Sequence, residues 1–522
     1  MECTVFGGSG EVGGNQIRIR SEGQDLWLDF GLPFGRYGLY FEEYLKPRTA
    51  AVLADLLHTG LAPRVGIYRD DLQSLAERRL GDLGLERPSE RVRVFISHPH
   101  LDHCGLLGLL RPDVEICLSA EAAAVLRSLQ ETGSQFPTQD LLWFRYRGDE
   151  GRLSKDDAVR PLAVAGDISG LVRFHQEVVA YREAESKGAS LPPYPLLQPS
   201  DQSHFTIDHS TPGATGWALQ VEGDTIVYPG DFRLHGSRSQ LMLEEARQLR
   251  SSARGRVLLF LEGTRFEPDK PLAQPFTEAD VYHQFREVVA RAEGELVVID
   301  FAARNVERLL TAWAVARDTG RELVVLHKDA YLLLSLAEVM GVALAGGSPV
   351  TVAEACNSAL VYRKARVSQY IWERFVESRF KAVEFPAIKA HPGRYILCIS
   401  FFDVAELIDI VAGGGIRGVY IYSTSEPHTE EQRIDLERLR NWLHLLGLRL
   451  VGDPDEEASH HEPYHVSGHA SPNDLVRLAE VFQPDAVVVV HAGHPREYAA
   501  FLRERLPQVQ VVVPQFGRSF TL

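Results

Sequence analysis

The chain has 522 residues, enough for about two to four domains. Its composition, 45% hydrophobic and 24% charged, excludes a mainly disordered or collagen-like protein. The 55 basic and 71 acidic residues give a net charge of −16, which argues against a surface that attracts nucleic acid everywhere but allows a local basic groove.

The lengths of the apolar runs and the placement of the cysteines indicate the cellular compartment of the protein. No apolar run reaches the roughly 18 residues that a membrane span needs, and the first residues lack the pattern of a signal peptide. The five cysteines are scattered, and none forms a C-x-x-C pair, as expected of reduced thiols. We therefore expect a cytoplasmic protein without a membrane partner.

The first part of the chain begins with strands. Three short strands joined by glycine-rich turns are predicted at 3–6, 16–20 and 25–30. Next come helices at 49–58 and 70–79, a strand at 91–97 and a helix at 101–110. The polar stretch 154–202, rich in proline near its end, is predicted to be an inserted, surface-exposed excursion. A hairpin at 217–221 and 225–228 follows it.

Strands and helices alternate in the rest of the chain. Strands are predicted at 257–261, 295–299, 323–326, 395–400 and 419–422, and helices at 278–292, 305–317, 330–340 and 430–446. This βαβ rhythm predicts a parallel sheet. The tail, with strands at 486–490 and 509–513 around a helix at 496–506, returns to the same pattern.

A glycine-rich string at residues 8–13 fits the G-x-G-x-x-G pattern of dinucleotide-binding proteins. That function requires a helix to begin at the glycines. Residues 15–20 alternate like a strand instead, so we expect a tight turn and no nucleotide cofactor.

Four potential metal ligands lie within six residues after the strand 91–97: His98, His100, Asp102 and His103. Imidazole and carboxylate groups together suit zinc and similar divalent ions. His98 and His100 point the same way in an extended segment, while Asp102 and His103 can turn toward a second point. The loop therefore predicts two adjacent metals; the alternative is a histidine-rich loop in which Asp102 caps a helix.

Two later residues fit the same site. His209 lies between two strand-like regions, and Asp231 directly follows a strand. Alone, each is more typical of a solvated or hydrogen-bonded residue. Downstream of the histidine-rich loop, they become a third ligand and a bridging carboxylate.

The string from His98 to His103 resembles the H-x-H-x-D-H signature of the metallo-β-lactamase superfamily. Asp29, His209 and Asp231 match the other motifs of the superfamily in order. The resemblance implies an α/β fold, a four-layer αββα sandwich with metals at one edge.

Three further residues resemble motifs A, B and C of the β-CASP nucleases: Glu262, His469 and His491. In that family a parallel-sheet α/β domain is inserted into the lactamase fold. The Ser-Gly-His-Ala-Ser string at 467–471 is especially similar to ribonuclease J and its bacterial and archaeal relatives. The implied domains are a first lactamase part at 1–265, an inserted β-CASP domain at 266–458 and a return segment at 459–522.

The family resemblance also implies roles. One metal would be held by His98, His100 and His209, and the second by Asp102, His103 and His491, with Asp231 bridging. The implied catalytic residues are His469 as general acid, Glu262 as its orienting partner, and Asp102. The implied phosphate-binding residues are Ser467, Gly468 and Ala470. Arg304 and Asn305 are further candidates because they lie near the start of a predicted helix, with a solvated charged face as the alternative. The metals are expected to be two zinc ions, with manganese as the alternative, and a histidine at motif C favours RNA as the substrate.

Several features leave alternatives open. His494 follows closely enough to rival His491 as a ligand, and the basic-aromatic cluster 362–366 is more typical of a solvated face than of a nucleic-acid site. A hydrolase of small esters or lactones, a DNA nuclease and a non-catalytic RNA-binding scaffold are the competing functions. A homo-oligomer is left open, and a separate C-terminal domain is expected to be absent.

Overall fold

The computed structural model describes the chain except residues 43, 134–139, 149–151, 186–195, 198–202, 270–275, 346, 366–367, 414, 457–461 and 522. The strands are β1 (Glu2–Gly7), β2 (Gln16–Ser21), β3 (Gln24–Leu28), β4 (Arg91–Phe95), β5 (Glu115–Ser119), β6 (Trp143–Arg147), β7 (Leu153–Val159), β8 (Leu162–Ala165), β9 (Leu196–Leu197), β10 (Ser203–Thr206), β11 (Thr215–Val221), β12 (Asp224–Tyr228), β13 (Val257–Leu261), β14 (Leu296–Asp300), β15 (Glu322–Val325), β16 (Ala343–Ala345), β17 (Ser348–Val350), β18 (Leu360–Tyr362), β19 (Lys381–Val383), β20 (Tyr395–Cys398), β21 (Gly418–Tyr422), β22 (Leu448–Val451), β23 (Ala486–Val489), β24 (Gln510–Val512) and β25 (Ser519–Thr521).

The helices are α1 (Phe34–Tyr37), α2 (Val52–His58), α3 (Asp70–Leu80), α4 (Leu101–Cys104), α5 (Ala120–Thr132), α6 (Ser169–Glu185), α7 (Ser239–Ser252), α8 (Glu278–Arg291), α9 (Val306–Asp318), α10 (His327–Ala337), α11 (Val352–Ser358), α12 (Ile371–Glu377), α13 (Phe385–Ala390), α14 (Leu407–Val411), α15 (Glu430–Leu446), α16 (Pro472–Phe482) and α17 (Pro495–Arg505). Short 3₁₀ turns lie at Leu107–Leu109, Pro392–Arg394 and Phe401–Glu406. No described helix is long and apolar enough to cross a membrane.

Two sheets pack face to face. One has the order β25-β1-β2-β3-β4-β5-β8-β9, and the other has the order β10-β11-β12-β13-β23-β24. Apolar side chains from both sheets, such as Ile17, Trp217 and Val488, form a single core cluster between them. Helices α7, α16 and α17 cover the outer face of the second sheet. The predicted α/β sandwich is confirmed.

A third sheet is separate from this sandwich. It has the order β19-β18-β15-β20-β14-β21-β22, and all neighbouring strands in it run parallel. Its interior strand β14 is buried along its whole length, as expected when helices cover both faces of a parallel sheet. The sheet falls within the predicted insertion, and the chain then returns to the sandwich through β23. The domain boundaries stay predictions, and residue 458 lies outside the described residues.

Two predicted elements differ from the structure. The predicted helix 101–110 stops after one turn, because the backbone N–H of Leu106 donates to Phe30 O at 3.1 Å instead of continuing the helix. The stretch 154–202 is not simply an exposed excursion, since the buried strand β8 pairs in parallel with β5 inside the main sheet. The apolar Leu162–Ala165 segment was hidden by its polar neighbours; residues 186–195 and 198–202 lie outside the described residues.

The glycine-rich string at 8–13 forms a turn between β1 and β2, which pair antiparallel. The dinucleotide interpretation therefore fails, as expected. Gly13 has a positive φ of 83°, and a Cβ there would lie 2.9 Å from Asp102 Oδ2. The glycine lets the turn lie directly against a predicted metal ligand.

A buried acid in the third sheet gives a stability prediction. Burial raises the pKa of the Asp300 carboxyl, at the end of β14, to about 7. The folded chain then holds this proton more tightly than the unfolded chain, so stability falls as the pH rises from about 4 to about 7, by about 4 kcal/mol at most. Asp300→Asn removes this cost and should raise the midpoint of thermal unfolding at pH 8 but not at pH 4. A lower midpoint at pH 8 would contradict this interpretation.

Candidate metal centre

The predicted ligands follow neighbouring strands, and their loops meet at one edge of the sandwich. β3 and β4 run parallel, as do β12, β13 and β23, so the residues after their carboxyl ends lie together. These residues are Asp29 after β3, His98–His103 after β4, Asp231 after β12, Glu262 after β13 and His491 after β23. His209 lies between β10 and β11.

Three imidazoles form the first cluster: His98, His100 and His209. Nδ1 of His100 lies 3.1 Å from Nε2 of His98 and 3.2 Å from Nε2 of His209. Nitrogens bound tetrahedrally to zinc at 2.0–2.1 Å are separated by about 3.3 Å. Nδ1–H of His209 donates to Gly468 O at 2.6 Å, which leaves Nε2 as the free lone pair. The spacing and the tautomer both suit a cation.

The second cluster consists of Asp102, His103, Asp231 and His491. Asp231 Oδ2 lies 3.0 Å from His103 Nε2 and 3.7 Å from His491 Nε2. The same oxygen lies 3.7 Å from His98 Nε2 in the first cluster. Asp231 therefore stands between the clusters, as the predicted bridge requires.

Asp29 fixes the orientation of His103. Its Oδ2 accepts a hydrogen bond from His103 Nδ1 at 2.6 Å and another from the Tyr228 hydroxyl. Ser97 donates to both carboxylate oxygens, through N–H and Oγ, each at 2.7 Å. A carboxylate behind a ligating histidine is typical of zinc sites. Nε2 of His103 consequently points at the cluster.

Thr264 orients His491 in a similar way. The Thr264 hydroxyl donates to Glu262 Oε2 and accepts from Nδ1–H of His491, with 2.8 Å between Oγ1 and Nδ1. Nε2 of His491 then faces Asp102 Oδ2 at 3.4 Å. His494, the predicted rival, is exposed and lies directly before α17, outside the described clusters.

The chemistry of the donors fits a divalent cation. Among the described residues, His103 Nε2 and Asp231 Oδ1 are buried without a hydrogen-bond partner, an arrangement that is costly unless another group binds them. Burial lowers the pKa values of His98 and His209, and lowers that of His100 to about 3, so all three imidazoles are neutral and have a free lone pair. Burial alone would raise the pKa of Asp231, but the facing His103, His491 and His469 hold it well below its usual range.

His469 and Glu262 lie beside the clusters. Nδ1 of His469 lies 3.1 Å from Glu262 Oε2 and 3.7 Å from Asp231 Oδ2. Burial works against the charged ring, but the two carboxylates raise the pKa of His469 to about 9. Glu262 Oε1 also accepts the backbone N–H of Phe232 at 2.9 Å, so the pair is held firmly. The carboxylates therefore favour the protonated form of the ring, and the His469 side chain is 24% exposed.

The predicted phosphate ligands occupy different settings. Ser467 Oγ accepts from the backbone N–H of His469 at 3.1 Å, Gly468 O is bound by His209, and the Ala470 side chain is buried. Arg304 reaches the metal loop, where it donates to Pro99 O at 2.9 Å.

Asn305 has a structural task, because its side chain caps α9 by accepting from Arg308 N. Its role as a phosphate ligand stays a prediction.

The cluster 362–366 is largely neutralised by nearby acids. Arg363 pairs with Glu377 and Glu384, and Lys364 pairs with Asp403. Arg366 lies outside the described residues. These pairs favour the solvated-face interpretation over a nucleic-acid site.

Three residues that act behind the ligands were not predicted from the sequence. Tyr228, Thr264 and His235 bind Asp29, His491 and Ser467 O respectively. The first two lie within strings that the motifs already mark, Tyr228 three residues before Asp231 and Thr264 two after Glu262, so their positions were an available signal. His235 had none.

No family model matches the chain. Ribonuclease J of Mycoplasma genitalium is 20% identical over 502 residues, which are 93% of this chain and 67% of that protein. Ribonuclease J of Pyrococcus abyssi is 21% identical over 506 residues, 94% of this chain and 89% of that one. These similarities, over more than nine-tenths of the chain, support the predicted resemblance to ribonuclease J and the β-CASP metallo-β-lactamase family. A protein of unknown function from Enterococcus faecalis V583, known from a crystal structure, has a similar fold. The TM-score is 0.64 and the identity 19%, and the match covers 100% of this chain and 99% of that one.

Gly468 provides a test of the first cluster. A Cβ at this position would lie 2.7 Å from Ser210 Oγ and 2.9 Å from His209 Cε1, so Gly468→Ala should displace His209. We expect the bound zinc to fall from about two ions per chain to about one, as measured by atomic emission. Gly341→Ala is the matched control, because a Cβ there meets nothing within 4 Å. Unchanged zinc in Gly468→Ala would contradict the cluster.

Proposed function

We propose that this chain is a two-metal ribonuclease that hydrolyses RNA phosphodiester bonds by 5′–3′ exonucleolytic cleavage, by endonucleolytic cleavage, or by both. The observation that carries the proposal is the convergence of two ligand clusters on Asp231 Oδ2. The relatives named ribonuclease J, aligned with more than nine-tenths of the chain, support RNA as the substrate.

The two clusters would each hold one divalent cation, zinc or manganese. When bound, a pair of cations about 3.5–4 Å apart neutralises the scissile phosphate and lowers the pKa of a water between them. Asp231 fixes the separation of the two clusters, because its Oδ2 faces both. Asp102, within the second cluster, contributes a second carboxylate to the charge that would hold the ions.

The leaving 3′-oxygen of the RNA needs a proton, and His469 is placed to supply it. Its Nδ1 is engaged by Glu262, so Nε2 is the atom that donates. Glu262 keeps the ring charged and oriented, while the partial exposure of His469 lets it reach a substrate. General acid catalysis of this kind contributes roughly 10²–10⁴-fold.

Substrate phosphates would bind where the third sheet meets the metal edge. Arg304, at the start of α9, contacts the metal loop at Pro99, and the Ser467 hydroxyl lies beside His469. We propose that RNA lies between the predicted inserted domain and the sandwich. Because the net charge is −16, affinity depends on these few local contacts and falls steeply with salt.

Asp231→Ala should abolish RNA cleavage and lower the bound zinc while the fold is retained, since both clusters lose their common carboxylate. Asp224→Ala is the matched control. It changes an aspartate at the opposite end of β12, paired with Arg256 on the surface, and should cleave normally. Full activity of Asp231→Ala on 5′-monophosphorylated RNA would end the proposal.

His469→Ala should slow cleavage by about 10²–10⁴-fold and leave the zinc content unchanged, because His469 belongs to neither the three-histidine cluster nor the cluster of Asp102, His103, Asp231 and His491. The exposed His444 on α15 serves as control through His444→Ala. Loss of both zinc ions from His469→Ala, or an unchanged rate, would refute the role of general acid.

The same assays separate the competing functions. Cleavage of single-stranded DNA but not of RNA would favour a DNA nuclease. Turnover of a generic carboxylic ester without nucleic-acid cleavage would favour a small-molecule hydrolase.

A further inference from the structure

A buried charge network joins the metal edge to the third sheet. Arg233, two residues after the bridging Asp231, donates to Asp208 Oδ1 at 2.9 Å and to Glu278 Oε1 at 3.1 Å. Glu278, at the start of α8, also accepts two hydrogen bonds from Arg308, at 2.9 and 3.1 Å. Both arginines are fully buried. The Glu278 carboxylate therefore binds both Arg233, which lies beside the metal edge, and Arg308, which lies on α9 of the third-sheet region.

Arg308 also reaches the loop that carries His469. Its Nη1 donates to Tyr464 O at 3.2 Å and to Ser423 O at 3.2 Å. The Ser423 hydroxyl, which Arg308 also contacts, donates to the same Tyr464 O at 2.7 Å. Ser423 follows β21 of the third sheet. The upstream end of the loop is thus bound to that sheet.

The rest of the loop is held from the sandwich side. His235 donates to Ser467 O at 2.9 Å, and His209 donates to Gly468 O at 2.6 Å. Downstream of His469, Ser471 caps α16. His469 lies between these anchors, so a shift of the upstream end would turn its ring relative to Glu262.

We propose that Arg308 is a positioning residue for the general acid, which ties the loop 464–469, and with it His469, to the third sheet. The inference rests on the proposed function. Arg308 touches neither the clusters nor His469, and it acts through the backbone of the loop. The fork of an arginine suits this task, because one edge holds the Glu278 carboxylate while the remaining nitrogen reaches Tyr464 O.

A lysine has a single side-chain nitrogen, which cannot bind both the Glu278 carboxylate and Tyr464 O. Arg308→Lys should therefore lower kcat by about tenfold to a hundredfold, as expected when a catalytic group is misplaced by about 1 Å. KM should stay within about twofold of the unchanged protein, and the zinc content should be the same, because Arg308 contacts no ligand and Gly468 O keeps its hydrogen bond from His209. Ser423→Ala should cause a smaller loss of kcat in the same direction, since it removes one of the two donors to Tyr464 O.

Arg321→Lys is the matched control. Arg321 also donates to backbone carbonyls of the third sheet region, among them Glu295 O at 2.9 Å, but at the opposite end of β14. The kcat of the Arg321→Lys protein should be unchanged. An equal loss of kcat in Arg321→Lys would show that general loosening of the sheet, and not the loop, sets the rate.

The deciding experiment is a double-mutant cycle on a 5′-monophosphorylated RNA. If Arg308 acts through His469, Arg308→Lys should slow the His469→Ala protein by less than about twofold, because the group that it positions is already gone. If the double variant is instead slowed by the product of the two single effects, the proposal is overturned. If Arg308→Lys does not fold, as judged by its thermal midpoint, Ser423→Ala takes its place in the cycle under the same criterion.

The outcomes also separate this inference from the proposed function. A His469→Ala protein with an unchanged rate refutes the general acid itself. A slowed His469→Ala protein with multiplying effects refutes only the positioning by Arg308.

Discussion

The carboxylate of Asp231 is charged at a point that water hardly reaches. Its exposed fraction is 1%, and one oxygen faces four imidazoles from three separate segments of the chain: His98 and His103, His469, and His491. A buried charge of this kind is stable only when cations or protonated donors surround it. The loops after β4, β12 and β23 must therefore meet at one place. The parallel pairing of the strands that precede them brings these loops together, and the sandwich fold serves this geometry.

Hydrogen bonds from behind the ligating histidines remove the remaining freedom of their rings. Asp29, Thr264 and Gly468 O each bind the Nδ1 atom of one histidine, which leaves its Nε2 free to face the centre. Such partners fix both tautomer and ring direction. Because Gly468 belongs to the loop that carries His469, the first cluster and the proposed acid are mechanically linked. The network around Glu278, which binds both Arg233 and Arg308, extends this link to the third sheet.

The sequence was most informative where chemistry is concentrated within a few residues. The spacing within the string 98–103 predicted two adjacent metals, positions at strand ends indicated His209 and Asp231, and family motifs supplied His491. The structure brings these residues together. The parallel third sheet was evident from the alternation of its elements. The errors came where tertiary contacts override local pattern, as at Leu106 and in β8. Arg233, Glu278 and Arg308 carried no signal, because the contacts join residues 30 and 45 positions apart that look like ordinary surface charges.

The most direct test of the account is the anomalous scattering of crystals grown with zinc and measured at the zinc absorption edge. The account predicts two peaks about 3.5–4 Å apart, one among His98, His100 and His209 and the other among Asp102, His103 and His491, with Asp231 between them. A single peak, or a pair of peaks that Asp231 does not join, would contradict it.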